Sequence, residues 1–365
     1  MSALQRRVRA LRSNRRLRLL TTLVVSALAY LVLRWGFGFM RSDKSPKIAV
    51  MLVAIAVGVA GAWLLFWILD NLVSSIPAQG IRDALHPFVF VGPGLLLLLV
   101  FQIYPTVNTT VISFLDSRSE LFVGLKNYVF VFTTDDLLIA FRNNVMWLVI
   151  VTTLTVCIGL LVAVLADRVR FESVVKSTIF LPMAISFVGA SVIWKFVYAY
   201  RPAGTAQIGL INALVTALGG EPRGWLTHAP ANSFFLMVIM IWIQTGFCMV
   251  ILSAAIKGVP NELTEAARVD GANAFQIFFK ITLPYIRGSI ITVATTVALS
   301  VLRVFDIVYV MTNGQFKTQV IANRMYVEMF KFRDFGHAGA LAVILLVAVT
   351  PVMIVNVRNL RQQRS

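Results

Sequence analysis

The chain of 365 residues has little charge and few of the residues that build catalytic or metal sites. Charged residues make up 13% of it, and it contains two cysteines and three histidines. Cys157 and Cys248 both lie inside apolar runs, so we predict small buried thiols rather than a disulfide. The histidines are too widely spaced to form a metal-ligand motif. The sequence therefore predicts no metal site.

The motifs of nucleotide and acyl chemistry are also missing. No G-x-x-x-x-G-K-[ST] loop occurs, so the chain lacks the backbone cradle and the lysine that hold ATP phosphates. No Ser/His/Asp set, thiol–histidine pair or pair of carboxylates shares one apolar face. We predict that the chain is not an enzyme, and that any ATP it depends on is hydrolysed by another chain.

What the chain has in excess is hydrophobic residues, at 58% of the sequence. This content and a mean hydropathy of +0.82 exclude a soluble globular protein. The formal net charge of +17 would suggest nucleic-acid binding in a soluble chain. Here the basic residues flank apolar segments, as the positive-inside rule expects. The sequence predicts an all-α, multi-pass membrane protein that does not bind nucleic acid.

Eight apolar runs are each long enough to cross about 30 Å of hydrocarbon as a helix. They cover residues 19–37, 48–69, 87–104, 145–165, 174–200, 233–256, 288–311 and 337–355. Seven arginines between positions 6 and 18 place the N-terminus in the cytoplasm, and eight crossings bring the C-terminus to the same side. A signal-peptide cleavage site at 27–29 is the alternative, but the first run continues past it, which favours an uncleaved anchor.

A polar loop, residues 257–284, separates the sixth and seventh runs and lies on the cytoplasmic side in this topology. We predict a short helix with Asn261 as its N-cap and with Glu262 and Glu265 in its first turn. Two alanines and Gly271 carry so little bulk that another protein could approach closely. Pro284 then closes the loop. An ordinary amphipathic connector between membrane helices would satisfy the same physics.

The residues of this loop resemble the EAA loop of binding-protein-dependent ABC import permeases. Glu265-Ala266-Ala267, Gly271 four residues later, and then Ile281, Leu283 and Pro284 match the spacing of that family. The resemblance implies a type I importer permease bundle in which this loop forms a coupling helix that docks in a cleft of the ATPase subunit. The residues to which it assigns ATPase coupling are Glu265, Ala266, Ala267, Asp270, Gly271, Leu283 and Pro284.

Further segments look like the sugar-importing, carbohydrate-uptake-1 branch of this family. They are residues 122–128, Leu181-Pro182 and 312–314. The resemblance implies a six-helix permease core over residues 85–365, preceded at 1–84 by a cytoplasmic arm and two extra helices, as in the larger membrane subunit of maltose and alpha-glucoside importers. Residues 105–142 are too few for the large external domain that the maltose subunit carries, so binding-protein contact through such a domain is not expected.

Two charged residues fall inside the seventh run. Unpaired charges at membrane depth cost several kcal/mol, and Arg303 and Asp306 at i,i+3 could pair on one helix face. The pair would either lock helix packing or contact the solute. Sugars pair their hydroxyls with polar groups and their apolar face with aromatic rings, and each candidate could instead belong to the core or to a membrane interface. The candidates for a solute site are Trp194, Trp242, Gln244, Phe305, Asp306, Tyr309 and Asn313.

The resemblance implies the permease subunit of an ATP-driven sugar importer in the bacterial inner membrane, with an alpha-glucoside of the maltose or trehalose type as solute. The partners it implies are a second, different permease, two ATPase subunits that bind ATP and magnesium, an external binding protein and membrane lipid. Alternatives are a permease for another small solute, such as glycerol phosphate or a polyamine, and an ion-coupled secondary transporter. The last would depend on Asp306.

Overall fold

The computed structural model describes residues 15–42, 45–167 and 169–362. The first part of the predicted basic arm, residues 1–14, lies outside the described residues. The described residues form helices and connecting turns, and no strand occurs among them. In chain order the helices are α1 Arg15–Met40, α2 Lys47–Ser74, α3 Gln79–Ile112, α4 Lys126–Thr133, α5 Asp135–Ala166, α6 Glu172–Phe180, α7 Phe187–Val197, α8 Leu210–Ala217, α9 Ala231–Lys257, α10 Asn261–Val269, α11 Ala274–Tyr285, α12 Arg287–Leu302, α13 Asp306–Met311, α14 Ile321–Tyr326 and α15 Phe335–Gln362.

The chain divides into two compact units, Met1–Val107 and Asn108–Ser365. The sequence placed its boundary at 84/85, and that functional division stays a prediction. In the first unit α1 packs against α2, and α2 against α3. A Cβ on Gly36 would lie 2.8 Å from a methyl group of Val57, so glycine permits this close approach of α1 and α2. No residue of α2 is buried, as expected for a helix surrounded by lipid.

Among the described residues, six helices are long and apolar enough to cross a membrane, and the number is up to eight if each of two bent helix pairs counts as one span. The predicted all-α membrane fold is confirmed. Six predicted spans lie within the six helices, the fifth overlaps the first bent pair, and the seventh, 288–311, overlaps only the second half of the pair that covers 274–302. The fifth predicted span is not one helix, however. It bends by 102° between Ala184 and Phe187. Pro182 lies in a 3₁₀ turn at Leu181–Ala184, and Ser186 then caps α7 by accepting a hydrogen bond from the Gly189 N–H at 3.0 Å.

The seventh predicted span, 288–311, is also interrupted. Helix α12 ends at Leu302, and α13 begins at Asp306. A tight turn closes α12, with Val304 N–H donating to Val301 O at 3.0 Å. Phe305 has φ −138° and ψ −59°, outside the helical region. The prediction of one continuous helix through these residues is wrong.

Helix α9 forms the centre of the second unit. Of its most apolar stretch of 18 residues, 56% are buried, which is the highest share among the six long helices of the described residues. It packs along α5, where Gly159 faces Cys248. A Cβ on Gly159 would lie 2.5 Å from Cys248 Cβ and 3.1 Å from the Met249 amide nitrogen. The absence of a side chain at Gly159 therefore sets the spacing of these two helices.

We expect Gly159→Leu to destabilise the subunit by about 3 kcal/mol or more, since the contact at this position includes main-chain atoms that cannot move aside. Thermal unfolding in detergent would measure the effect. Gly94→Leu is the control, because nothing lies within 4 Å of a Cβ added at Gly94. Equal melting temperatures for the two variants would contradict the assigned close packing.

Candidate functional site

Helix α10, which carries the predicted coupling residues, has a well-defined end. Gly271 adopts φ +83°, and its N–H donates to Arg268 O at 3.0 Å. The next amide, that of Ala272, donates to Ala267 O at 2.9 Å, which completes a Schellman cap. The predicted N-cap is wrong, because Asn261 is already the first helical residue and Pro260 occupies the cap position without a side-chain bond.

The helix and the segment after it leave large side chains exposed. No residue of α10 is buried, and Val269 is 88% exposed. Phe275, at the start of α11, is 72% exposed. The side chain of Glu265 is exposed and makes no hydrogen bond or ion pair within the described part of the chain. Since apolar and acidic groups are presented together, this surface is suited to contact another protein.

Helix α11 leads from the loop back to the bundle. Asn273 caps it in a capping box with Gln276. The helix widens into a π-helical turn at Phe278–Thr282, which directly precedes Leu283 and Pro284. Because proline cannot donate its helical hydrogen bond, the wider turn accommodates it, and the chain bends by 67° between Tyr285 and Arg287. Leu283 is half-buried, whereas Pro284 is exposed.

A polar network joins the base of this loop to the neighbouring helices. Lys176 Nζ contacts the carboxylates of Asp167 and Glu172, the latter at 2.6 Å. Ser253 Oγ donates to Asp167 Oδ1 at 2.8 Å, and Lys257 pairs with Glu172. The ends of α5 and α9 are therefore tied to the start of α6, directly before the coupling loop begins.

The predicted ion pair in the seventh span does not form, which corrects the sequence prediction. The break between α12 and α13 puts Arg303 at the end of one helix and Asp306 at the start of the next, so they do not share a helix face. Arg303 Nε donates to Leu299 O at 3.2 Å, and no salt bridge of the described residues joins it to Asp306. Asp306 instead lies in the first turn of α13, where the positive helix end favours a carboxylate.

The break opens a small cavity of about 30 Å³ beside the bundle core. Its lining includes two predicted solute residues, Phe305 and Asp306, together with Arg303. An aromatic cluster, defined as Phe305, Tyr309, Tyr326 and Phe330, extends from this cavity. Phe305 and Tyr309 stack with ring centroids 5.1 Å apart, and Tyr326 is 5.3 Å from Phe305. The sequence prediction missed Tyr326 and Phe330 because they follow in another helix.

The other predicted solute residues lie elsewhere. Trp194 and Trp242 contact each other edge to face at 5.8 Å and pack against the hydrophobic core. Gln244 is half-buried two residues further along α9. Asn313 is exposed, has φ +52°, and its N–H donates to Val308 O at 2.8 Å, so it serves the turn after α13. None of these four lines the cavity at the helix break.

Buried asparagines hold the segment that follows α13. Asn143 Nδ2 donates to the carbonyls of Lys317 and Gln319, both at 2.8 Å. Asn232 Nδ2 donates to Phe316 O at 2.8 Å. These bonds satisfy backbone carbonyls of an irregular segment and tie it to α5 and α9. Sequence reasoning missed these asparagines because neither belongs to a recognisable motif.

A charged cluster supports the helix that carries Tyr326. Glu328 is 2% exposed and pairs with Arg324 at 2.7 Å and with His337 at 3.8 Å. Burial raises the pKa of Glu328, but the contacts with His337 and Arg324 outweigh it, so its pKa lies below the ordinary value of 4.5. A lowered pKa stabilises the fold above about pH 4.5, and this stabilisation is lost as the pH falls through the lower folded-state pKa.

We expect Glu328→Gln to lower the free energy of unfolding by about 3 kcal/mol at pH 7, because Arg324, whose side chain is only 15% exposed, loses its buried charged partner. The difference from the parent protein should shrink as the pH falls below 4.5, the ordinary value for this carboxyl. Thermal unfolding in detergent between about pH 3 and pH 7 would test both points. Asp136→Asn is the control, since the Asp136 side chain is 72% exposed and 3.9 Å from Arg324. A difference that does not change with pH would contradict this role.

Comparison with known proteins places these features in a wider context. A family model described as "Binding-protein-dependent transport system inner membrane component" matches residues 155–361. The chain is 59% identical to the osmoprotective compounds uptake permease protein GgtC of Synechocystis sp., over 76% of this chain and 99% of the relative. It is 47% identical to the alpha-glucoside transport system permease protein AglF of Rhizobium meliloti, over 86% of this chain and 96% of the relative. A solved chain of a bacterial ABC transporter that imports alginate has the same fold, with a TM-score of 0.68 at 20% identity, over 78% of this chain and 98% of that one.

Proposed function

We propose a function for this chain from one premise: it belongs to the family of binding-protein-dependent transport system inner membrane components. It is a membrane-spanning permease subunit of an ABC importer, and ATP hydrolysis belongs to a partner ATPase. The observation that carries the coupling role is the exposed α10, which is fixed by its Schellman cap and presents Glu265 and Val269 without partners.

We infer a mechanism of alternating access. Closure of two ATPase subunits, which would bind ATP and magnesium, moves α10. The movement passes along the chain to α9 through residues 258–260 and to α12 through α11, and the Lys257–Glu172 ion pair carries it from α9 to α6. The solute path runs beside the break at residues 303–305, where irregular backbone lies within a span. Both chain termini and α10 face the cytoplasm in this arrangement.

We infer that the solute is a sugar of the alpha-glucoside class. The aromatic cluster offers ring faces, and the Asp306 carboxylate beside it offers a hydrogen-bond acceptor, which together suit a polyhydroxylated ligand. The adjoining cavity of about 30 Å³ holds little more than a water molecule, so a sugar enters only when the surrounding helices move apart. The name of the Rhizobium meliloti relative supports the same class. An osmoprotective solute is the second candidate, favoured by the name of the Synechocystis relative and its 59% identity.

The test begins with purification of the chain from native membranes in mild detergent and mass spectrometry of what accompanies it. We expect an ATPase and a second, different permease, with an external binding protein captured on addition of solute. The purified complex in proteoliposomes should then take up maltose or trehalose only with internal Mg-ATP. Recovery of the chain alone, under conditions that preserve known complexes, with uptake that follows an ion gradient, would overturn the proposal.

A further inference from the structure

A short amphipathic helix lies at the end of the bundle opposite the coupling loop. Helix α9 leads into the coupling loop at Lys257 and begins at Ala231, directly after the segment 198–230. Because α9 crosses the membrane between these ends, this segment lies at the opposite membrane surface. It contains α8, Leu210–Ala217, whose apolar residues are divided between two faces.

One face of α8 is fixed to the ends of the membrane helices. Asn212 is fully buried, and its Nδ2 donates to Ala199 O at 2.9 Å, two residues beyond the end of α7. Its Oδ1 accepts a bond from Trp225 Nε1 at 3.0 Å. The Trp225 ring packs on Phe235, in the second turn of α9, with centroids 5.2 Å apart. These bonds set α8 at the depth at which α7 ends and α9 begins.

The other face carries a row of large apolar side chains with nothing covering them. Leu210, Leu214 and Leu218 follow each other at intervals of four and are 67%, 60% and 80% exposed. The helix ends in a Schellman cap, in which Gly219 has φ +82° and Gly220 N–H donates to Val215 O at 2.8 Å. The row is therefore held in place on a defined helix rather than on a loop that could turn it inward.

Basic side chains occur at the end of α7 and on both sides of α8 in the chain. Lys195 in the last turn of α7, Arg201 and Arg223 are exposed, and no salt bridge of the described residues involves them. An apolar row at the level of the span ends, beside free cationic groups and an anchored tryptophan, has the composition of a helix that lies in a membrane surface. Water would leave the three leucines exposed, whereas the boundary between headgroups and acyl chains buries them.

We propose that α8 is an interfacial helix that lies in the plane of the membrane, with Leu210, Leu214 and Leu218 among the acyl chains and the basic groups at anionic phospholipid headgroups. It anchors the mouth of the bundle to the bilayer, because Asn212 connects it to both α7 and the segment before α9. The contact is made with lipid in the resting transporter and requires no other protein.

Spin labels would test this in the assembled transporter, reconstituted in nanodiscs that contain phosphatidylglycerol. Leu214→Cys and Leu218→Cys would be labelled in a Cys157→Ser background, since Cys248 is buried and inaccessible to the label. Phe196→Cys on α7 is the lipid-facing control and Glu221→Cys the water-facing control, as both positions are exposed. The measurement is the ratio of collision rates with oxygen and with a water-soluble nickel complex.

We expect the labels at 214 and 218 to give ratios close to that of position 196 and several-fold above that of position 221, with or without the binding protein. Ratios close to that of position 221 in the free transporter would overturn the proposal. So would labels that become shielded only when the binding protein is added, because the row would then be a protein-docking face.

Discussion

Glu265→Lys is expected to reduce ATP-driven uptake by about 30-fold or more while the subunit stays folded. Glu265 is exposed on α10 and has no partner within the described part of the chain, so the reversal removes no internal interaction. At a docked interface the same change would bring a like charge or an unpaired group against the ATPase. Truncation of a central interface residue costs about 2 kcal/mol or more, which corresponds to roughly a 30-fold loss of association.

Gly271→Asp tests the same surface by adding a side chain where the ATPase would approach closely. Nothing lies within 4 Å of a Cβ added at Gly271, so the chain itself has room for the side chain. The φ of +83° is one that aspartate adopts more readily than most residues, which limits the strain to about 1–2 kcal/mol. Loss of uptake in this variant would therefore indicate that the partner occupies the space next to Gly271.

Both variants should be compared with the parent in proteoliposome uptake, in co-purification of the ATPase and in thermal unfolding. Asp83→Lys serves as the matched control, because it reverses an exposed charge outside the coupling loop. The coupling role would be supported if the variants melt near the temperature of the parent but lose both uptake and co-purification of the ATPase. If uptake and ATPase assembly both survive Glu265→Lys and Gly271→Asp, α10 is not the coupling helix.

The existence and the end of α10 were predictable because the sequence information for them is local, whereas the coupling role of this helix stays a prediction. Gly271 ends α10 through a left-handed conformation, and the two alanines before it carry too little bulk to keep a partner away. Residue type and spacing are therefore enough to predict these features. The start of the helix was predicted less well. Asn261 is a favourable cap by type, yet Pro260 before it, with φ −57° and ψ 131°, already provides the extended conformation that precedes a helix.

The helix breaks were harder to predict, for different reasons. Pro182 is a visible signal, but proline also occurs inside apolar spans, as Pro93 does in α3. No glycine or proline lies between Leu299 and Asp306, so the end of α12 at Leu302 had no local mark. The aromatic cluster depends on that break and on Tyr326 from another helix, and a contact between distant segments leaves no periodic pattern in a single sequence.

Asp306→Ala is expected to lower the rate of sugar uptake at limiting concentration by about 10- to 100-fold, because a hydrogen bond to a charged group contributes about 1.5–3 kcal/mol. Asp306 lines the cavity at the helix break beside Phe305, and it has no salt bridge within the described residues. Phe305→Ala should lower uptake in the same assay by removing the ring face. Phe196→Ala is the control, since that ring is 68% exposed on α7 and belongs to no aromatic pair of the described residues.

Asp306→Asn separates the importer from the ion-coupled alternative. A sugar hydroxyl can still donate to the amide oxygen of asparagine, although the bond to this neutral group is weaker, so an ATP-driven importer should lose less uptake in Asp306→Asn than in Asp306→Ala. A carrier that moves a proton or sodium ion with its solute would use the charge of Asp306, and asparagine would then abolish coupling as completely as alanine does. Three results together would assign Asp306 to the sugar. Uptake survives in Asp306→Asn, it fails in Asp306→Ala, and any uptake that remains in either variant requires ATP. Equal loss in the two variants, together with dependence on an ion gradient, would assign it to the ion.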